Sequence, residues 1–141
     1  MTWCLVGSEM CIRDSLSATD LNGNSMANGG FRFFNSQGSN DIKYLAPTGG
    51  ISLNQWHHVT MVMKASGAYK FYYDGSLLGS FTPSSKSTSN NTPLIIGANK
   101  DGGSQPAYNR MFNGEIDGVT IVKEALTSDQ IAASYNAGAP E

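Results

Sequence analysis

Two carboxylates stand two positions apart in the segment FNGEIDGVTIV, at Glu115 and Asp117. Because side chains alternate along a strand, residues at this spacing share a face. Retaining glycosidases need a nucleophile and an acid whose carboxyl groups lie about 5–5.5 Å apart. The pair is therefore a candidate for glycoside hydrolysis. The structural alternative for Asp117 is a hydrogen bond to nearby backbone.

A second group of chemically capable side chains lies in residues 98–111, ANKDGGSQPAYNRM. The candidates for ligand binding are Asn99, Asp101, Tyr108, Asn109 and Arg110. Amide and carboxylate oxygens suit sugar hydroxyls or calcium, and a tyrosine ring offers an apolar face for stacking on a sugar. Long loops inside compact domains are often functional. The alternative is a solvated loop in which Asn, Asp and Gly only make turns.

The histidines and serines offer little for catalysis. His57 and His58 are adjacent, so a strand would point them to opposite faces, and they cannot share a metal ion. No Gly-x-Ser-x-Gly elbow is present, which argues against a serine–histidine–aspartate triad. We expect both histidines to be structural, with His58 and Trp56 in or beside the core.

Both cysteines, Cys4 and Cys11, fall in the opening segment CLVGSEMCIRDS. Their spacing is a weak metal signal, because zinc sites pair closer cysteines and need further ligands. Leu5 to Ser15 instead resembles the conceptual translation of a transposase-type sequencing adapter. We therefore interpret residues 1–15 as an adapter-like artefact outside the fold and residues 16–141 as the domain.

The bulk composition narrows the class of protein. A chain of 141 residues fits one domain, and a net charge of −2 with 14% charged residues gives no basic patch for nucleic acid. Apolar runs are only a few residues long, so we expect no membrane insertion, and no signal peptide is apparent. Abundant Gly, Ser, Thr and Asn with 10% aromatics indicate a mostly β domain with polar loops.

Alternation and turn signals predict a series of strands and one helix. Asp74-Gly75 predicts a tight hairpin turn within residues 69–81. Thr127 and Gln130 form a capping box that begins a C-terminal helix, which should dock on the sheet. The remaining strands are predicted at residues 31–35, 41–46, 56–64, 93–97 and 112–122. This order predicts an all-β, antiparallel sandwich with one short C-terminal helix.

The motifs NQWHHVTMVM, YKFYYDGSLLGS, PLIIGAN and FNGEIDGVTIVKEALTSDQI occur in that order. Together they resemble the laminin G-like domains of the concanavalin A-like lectin/glucanase superfamily, over about residues 31–137. The resemblance implies a jelly roll of two antiparallel sheets. Such domains usually begin with further strands before the equivalent of FRFFN, so the resemblance also implies an N-terminally truncated domain.

The resemblance bears on the carboxylates as well. Laminarinase-type hydrolases of the superfamily carry a second Glu two or three positions after Glu-x-Asp, where this chain has Val119 and Thr120. The missing acid argues against catalysis. In related jelly rolls the Asp equivalent to Asp117 helps to hold structural Ca²⁺ with backbone carbonyls, so Asp117 is our candidate metal ligand.

These observations favour a non-catalytic binding or adhesion module. We expect it to recognise a carbohydrate or a protein surface within a larger extracellular, cell-surface or virion protein. Two alternatives stay open: a fragment of a laminarinase-type glycoside hydrolase, and a structural spacer of an adhesin that has no ligand of its own.

Overall fold

The computed structural model describes residues 2–6, 12–13, 30–35, 41–64, 67–83, 96–97, 99–100, 108–109, 112 and 114–138. The chain divides into two compact units. The first comprises Met1–Ser8, Ser52–Pro83 and Glu115–Glu141, and the second comprises Glu9–Ile51 and Ser84–Gly114.

The described elements are ten strands followed by one helix. They are β1 Thr2–Val6, β2 Ile12–Arg13, β3 Phe31–Asn35, β4 Asp41–Leu45, β5 His58–Met63, β6 Tyr69–Tyr73, β7 Ser76–Phe81, β8 Asn99–Lys100, β9 Tyr108–Asn109, β10 Asp117–Val122 and α1 Ser128–Gly138. Within the described residues, no helix has the length and apolarity that crossing a membrane requires.

The first unit contains a five-stranded sheet in the order β10-β1-β5-β6-β7. The pairs β5–β6 and β6–β7 are antiparallel, as the sequence predicts for consecutive strands. Strand β1 is the exception, because it pairs in parallel with both β5 and β10. Every residue of β5 except Met63 is buried, so the prediction of an interior strand covered on both faces is confirmed.

The hairpin between β6 and β7 turns at Asp74-Gly75, as predicted. Both residues have positive φ, 47° at Asp74 and 74° at Gly75, which is the conformation that a type I′ turn demands. A Cβ at Gly75 would also lie 3.0 Å from the Tyr135 ring, so a larger residue here would require that ring to shift. The hairpin tip therefore contacts the C-terminal helix directly.

Helix α1 begins with the predicted capping box. The Thr127 N–H donates to Gln130 Oε1 at 2.8 Å, and the Gln130 N–H donates to Thr127 Oγ1 at 3.3 Å. These two bonds satisfy backbone donors that the first helical turn leaves free. Ile131 then packs, fully buried, with Val62 and Tyr72 of the sheet, and this docking confirms the predicted helix face.

Three aromatic rings pack together on the five-stranded sheet of the first unit. The Phe81 ring stacks on Tyr69 and Phe71 with centroid distances of 5.4 and 6.1 Å. Tyr69 and Phe71 are both buried. Stacked rings of this kind add to the energy of simple burial.

The second unit contains a three-stranded antiparallel sheet, β2-β3-β4, and the two-stranded ladder β8-β9. The β3–β4 hairpin lies where FRFFN and DIKYLA predict it. After β4, the Gly50 N–H donates to the Pro47 carbonyl at 2.9 Å, which closes a turn over residues 47–50.

Three sequence expectations need correction. Strand β5 begins at His58, and Trp56 is 45% exposed, because the chain before β5 forms a bend and not a continuation of the strand. Of the predicted buried strand 93–97, the described Ile96 and Gly97 form a bend, and Ile96 is exposed. Strand β10 begins at Asp117, so Glu115 precedes it. The class itself is confirmed: strands in mainly antiparallel sheets and one short C-terminal helix, consistent with a concanavalin A-like jelly roll.

Candidate functional site

Three of the predicted ligand-binding residues, Asn99, Tyr108 and Asn109, lie on the short strands β8 and β9. These strands pair antiparallel, with Asn99 opposite Asn109 and Lys100 opposite Tyr108. The Phe112 N–H donates to the Gly97 carbonyl at 2.7 Å, which joins the same two segments further from the loop. The fold thus brings three of the five predicted residues into register. The other two, Asp101 and Arg110, lie outside the described residues.

The carboxylates of the EID segment do not form a pair on one strand. Glu115 and Asp117 are both exposed, and only Asp117 belongs to β10. Asp117 Oδ1 accepts a hydrogen bond from the Gly118 N–H at 2.7 Å. Glu115 therefore lies outside the strand on which the sequence analysis placed both carboxylates.

Asp117 was also the candidate calcium ligand. Calcium takes six to eight oxygen ligands. Among the residues that the structure describes, no three His, Cys, Asp or Glu side chains come together as a metal site. One carboxylate does not supply such a shell, so a calcium ion here would need backbone carbonyls, and its presence stays a prediction.

A polar cluster that the motifs did not predict surrounds His57, just before β5. Its ring is almost fully buried, and Asp74 reaches it from the hairpin tip with Oδ2 at 2.9 Å from Nδ1. The Tyr73 hydroxyl lies 2.8 Å from the same nitrogen. On the other side of the ring, Nε2 lies 2.9 Å from the Ser52 carbonyl oxygen and 3.2 Å from Ser52 Oγ. We call Ser52, His57, Tyr73 and Asp74 the His57 cluster.

The His57 cluster ties the turn before β5 to the β6–β7 hairpin. Asp74 Oδ1 accepts from the His58 N–H at 2.8 Å, and the Asp74 N–H donates to the His58 carbonyl at 2.8 Å. The carboxylate thus holds one side chain and one backbone donor at once. Hydrogen bonds to a charged acceptor are stronger than those between neutral groups. Asp74 therefore stabilises the contact between the hairpin and the start of β5 in addition to forming the turn.

Both ring nitrogens of His57 face oxygens that accept hydrogen bonds. The Ser52 carbonyl lies on the Nε2 side and the Asp74 carboxylate on the Nδ1 side. A hydroxyl also lies within hydrogen-bond distance of each nitrogen, Ser52 Oγ at Nε2 and the Tyr73 hydroxyl at Nδ1, and a hydroxyl can donate or accept. The His57 ring is therefore held by hydrogen bonds on both of its polar edges.

Serine, histidine and aspartate do meet in this cluster, although the motif search gave no support for a triad. A general base, however, must direct a lone pair at the serine hydroxyl. Here Nε2 lies closer to the Ser52 carbonyl than to Ser52 Oγ, and that hydroxyl donates to Gln55 Oε1 at 3.2 Å. The contacts therefore support a structural role for this cluster and not activation of a serine nucleophile.

Burial also affects the tyrosine of the cluster. Desolvation, together with the nearby Asp74 charge, raises the pKa of Tyr73 to about 12. Its ring stacks on His57 with a centroid distance of 4.9 Å. Tyr73 therefore stays a neutral hydroxyl at physiological pH and contributes a dipole to the cluster, not a charge.

His58 is buried on the other side of β5 and has a different environment. Its ring lies 6.0 Å from the Tyr135 ring, and neither ring nitrogen has a hydrogen-bond partner among the described residues. Burial lowers the pKa of His58, and the nearby Asp74 charge offsets part of this effect. The position fits the expectation of a core histidine.

A laminin G family model described as the concanavalin A-like lectin/glucanases superfamily matches residues 15–132. The chain belongs to the concanavalin A-like lectin/glucanases superfamily. The superfamily includes both lectins and glycoside hydrolases, so membership alone assigns no activity. No curated protein matches the chain.

A solved structure supports the same fold for this concanavalin A-like domain. It is a crystal structure of an S-layer domain-containing protein, residues 221–444, from Clostridium thermocellum. The TM-score is 0.50 and the sequence identity is 20%, over 83% of this chain and 59% of that chain. The chain therefore spans less than two thirds of that structure, and at this identity the similarity shows the fold alone.

Sequence reasoning missed the His57 cluster in this concanavalin A-like domain. The sequence predicts a turn role for Asp74, and no motif includes Ser52. The signal available was the hairpin itself, because pairing of β5 with β6 necessarily returns residue 74 to the start of β5. The register between β5 and β6, rather than a sequence motif, is what brings the Asp74 carboxylate beside the histidines.

Proposed function

We propose that this concanavalin A-like domain is a non-catalytic binding module that recognises a glycan within a larger extracellular or cell-surface protein. The observation that supports the proposal is the β8–β9 ladder, which places Asn99, Tyr108 and Asn109 on two paired strands. Amide and phenol groups are the residue types that bond and stack on sugars. Binding loops on a rigid β scaffold are a common arrangement.

Two observations of unequal weight favour a location outside the cell or on its surface. The superfamily contains lectins, and one structure of similar fold belongs to an S-layer domain-containing protein. The second support is an analogy of fold only. A protein surface as the ligand is the alternative that the test must separate from a glycan.

The test is a glycan array probed with the purified chain, followed by titration of the best glycan. We expect Tyr108→Ala and Asn109→Ala each to weaken binding about fivefold, because removal of a stacking ring or a hydrogen bond typically costs about 1 kcal/mol. Asn136→Ala is the matched control, since Asn136 is an exposed amide on α1.

Three other outcomes identify the alternatives. Binding to a glycoprotein that survives enzymatic deglycosylation indicates a protein surface as the ligand. Absence of binding to both glycans and glycoproteins indicates a structural spacer. Release of reducing sugars from β-1,3- or β-1,4-glucan that is lost in Glu115→Gln indicates a hydrolase and overturns the proposal.

A further inference from the structure

The sequence contains three Asp-Gly pairs, at Asp74-Gly75, Asp101-Gly102 and Asp117-Gly118. Such a pair can react with itself, because the glycine nitrogen can attack the aspartate side chain and no Cβ on the glycine blocks the approach. In a folded chain the reaction depends on how the fold holds the two groups, since reacting atoms must lie about 3–3.5 Å apart and in alignment. The structure describes the first and the third pair.

At Asp117-Gly118 the fold brings the two reacting groups together. Asp117 Oδ1 lies 2.7 Å from the Gly118 nitrogen, and Cγ is bonded directly to that oxygen. The carbon that would be attacked therefore lies beside the attacking nitrogen. Both residues are exposed, so solvent water reaches the pair.

The backbone of this pair also departs from the regular strand. The register of β1 and β10 shifts between Thr2 opposite Asp117 and Cys4 opposite Thr120, so β10 carries one extra residue at this point. Gly118 has a φ of 61°. A bulge of this kind leaves a residue unpaired and disrupts the ladder locally. The pair can therefore reach the geometry of attack more easily than it could within a regular strand.

Asp74-Gly75 is the same dipeptide in the opposite environment. Asp74 Oδ1 accepts from the His58 N–H at 2.8 Å, and Oδ2 lies 2.9 Å from His57 Nδ1. The Asp74 side chain is only 26% exposed, and Gly75 lies against the Tyr135 ring. Two contacts thus hold this carboxylate toward the start of β5, and the hairpin fixes the backbone of the pair.

We propose that Asp117-Gly118 is a site of spontaneous modification, at which the chain forms a succinimide and then isoaspartate, whereas Asp74-Gly75 is protected. First, the Gly118 nitrogen forms a bond to Asp117 Cγ, and the carboxyl hydroxyl leaves with the amide hydrogen as water. Water then opens the ring at one of its two carbonyls. Opening at Cγ restores aspartate, and opening at the main-chain carbonyl of Asp117 gives isoaspartate. Water is the only other reactant.

The product alters β10 at the residue where its pairing begins. Isoaspartate routes the main chain through Cγ, which adds one CH2 between residues 117 and 118 and leaves the former main-chain carboxyl as the side chain. Thr2 opposite Asp117 is the first pair of the β1–β10 register. The reaction therefore changes both the start of this strand and the position of the carboxylate that is the candidate calcium ligand.

Peptide mapping of the full chain tests the proposal. The chain is kept for several weeks in neutral buffer with chelator, at physiological temperature, in water labelled with the heavy isotope of oxygen. Trypsin in ordinary water then separates the two pairs into residues 71–86 and 111–123. We expect isoaspartate at 117, carrying one heavy oxygen, to exceed that at 74 by about tenfold or more, because misplacement of reacting groups by about 1 Å can cost about 10²-fold.

The same measurement in guanidinium chloride separates the effect of the fold from that of the sequence. In the unfolded chain the two pairs should react at similar rates, because nothing holds either carboxylate. Asp117→Glu should remove the product at 117 and leave residue 74 unchanged, since attack would then have to close a larger ring. Equal isoaspartate at both positions of the folded chain, or isoaspartate at 117 only after unfolding, would overturn the proposal.

Discussion

Asp74 shows how much one side chain contributes beyond its turn. Its two carboxylate oxygens hold the His57 ring and the His58 N–H, while its positive φ shapes the hairpin. Asp74→Asn retains a residue that tolerates this φ but removes the charge and one acceptor. We expect the free energy of unfolding to fall by about 1–3 kcal/mol, the cost of leaving a buried donor unpaired.

Urea denaturation followed by tryptophan fluorescence measures this loss. The control is Glu124→Gln, which removes the charge from an exposed carboxylate outside the His57 cluster. Equal stability of the two variants would mean that Asp74 serves the turn alone.

We expect the buried His58 to make the stability of the chain decrease at acid pH. Burial lowers the pKa of His58 in the folded chain, whereas an unfolded histidine titrates near 6.5. Below about pH 6.5 the unfolded chain therefore takes up a proton that the folded chain does not, and stability falls as pH decreases through this window. One histidine can contribute a slope of at most about 1.4 kcal/mol per pH unit.

The comparison that isolates this effect is His58→Phe. Phenylalanine fills a similar space beside Tyr135 and removes two ring nitrogens that have no hydrogen-bond partner among the described residues. Urea midpoints measured from pH 8 to pH 5 should fall less steeply for the variant. Identical slopes would assign the acid sensitivity to other groups.

Asp117 carries the calcium prediction. If a calcium ion is bound there with backbone carbonyls, ligand binding to the folded chain raises the melting temperature. We expect a rise of a few degrees in millimolar calcium relative to chelator for the wild type and none for Asp117→Asn. Identical melting of the wild type in calcium and chelator would leave Asp117 with its hydrogen bond to the Gly118 N–H alone.

Among the elements, α1 depends on its capping box. Thr127→Ala removes the side chain that accepts from the Gln130 N–H, and loss of such a cap costs about 1 kcal/mol. The melting temperature should fall by several degrees. Ser134→Ala is the control, because Ser134 is exposed within the same helix and makes no cap. A Thr127→Ala chain as stable as this control would show that docking of Ile131 alone fixes the helix.

Local chemistry explains which elements could be predicted. The β6–β7 hairpin and α1 are specified by residues close in sequence, Asp74-Gly75 and Thr127 with Gln130, so their signals survive without tertiary context. Strand β10 is shorter than predicted, because alternation in FNGEIDGVTIV does not show where pairing begins. The His57 cluster depends on a register between β5 and β6, and no local pattern states a register.

At the scale of the whole molecule, the same limit applies to the candidate binding site. Composition and motif order were sufficient for the superfamily and its β class. They could not show that Asn99 lies opposite Asn109, because that pairing joins residues separated by a loop. Residue types were enough to nominate the candidate binding residues. Which of them pair with each other could be seen only in the fold.

Strand β1 raises the last question at this scale. Thr2–Val6 lies between β5 and β10 and is parallel to both, in a sheet whose other pairs are antiparallel. We propose that this segment, interpreted from its sequence as adapter-like, occupies the strand position through backbone pairing without side chains selected to pack there. Backbone hydrogen bonds are available to any extended segment, whereas close packing depends on particular side chains.

A replacement of the segment tests this proposal. Exchanging Thr2–Val6 for five alternating threonine and valine residues keeps the backbone pairing and the strand propensity but changes the side chains. We expect the free energy of unfolding to change by less than about 1 kcal/mol, whereas Met61→Ala in the neighbouring buried strand should cost about 2–5 kcal/mol. A replacement as costly as Met61→Ala would mean that β1 packs with native specificity, and the adapter-like interpretation of residues 1–15 would then fail.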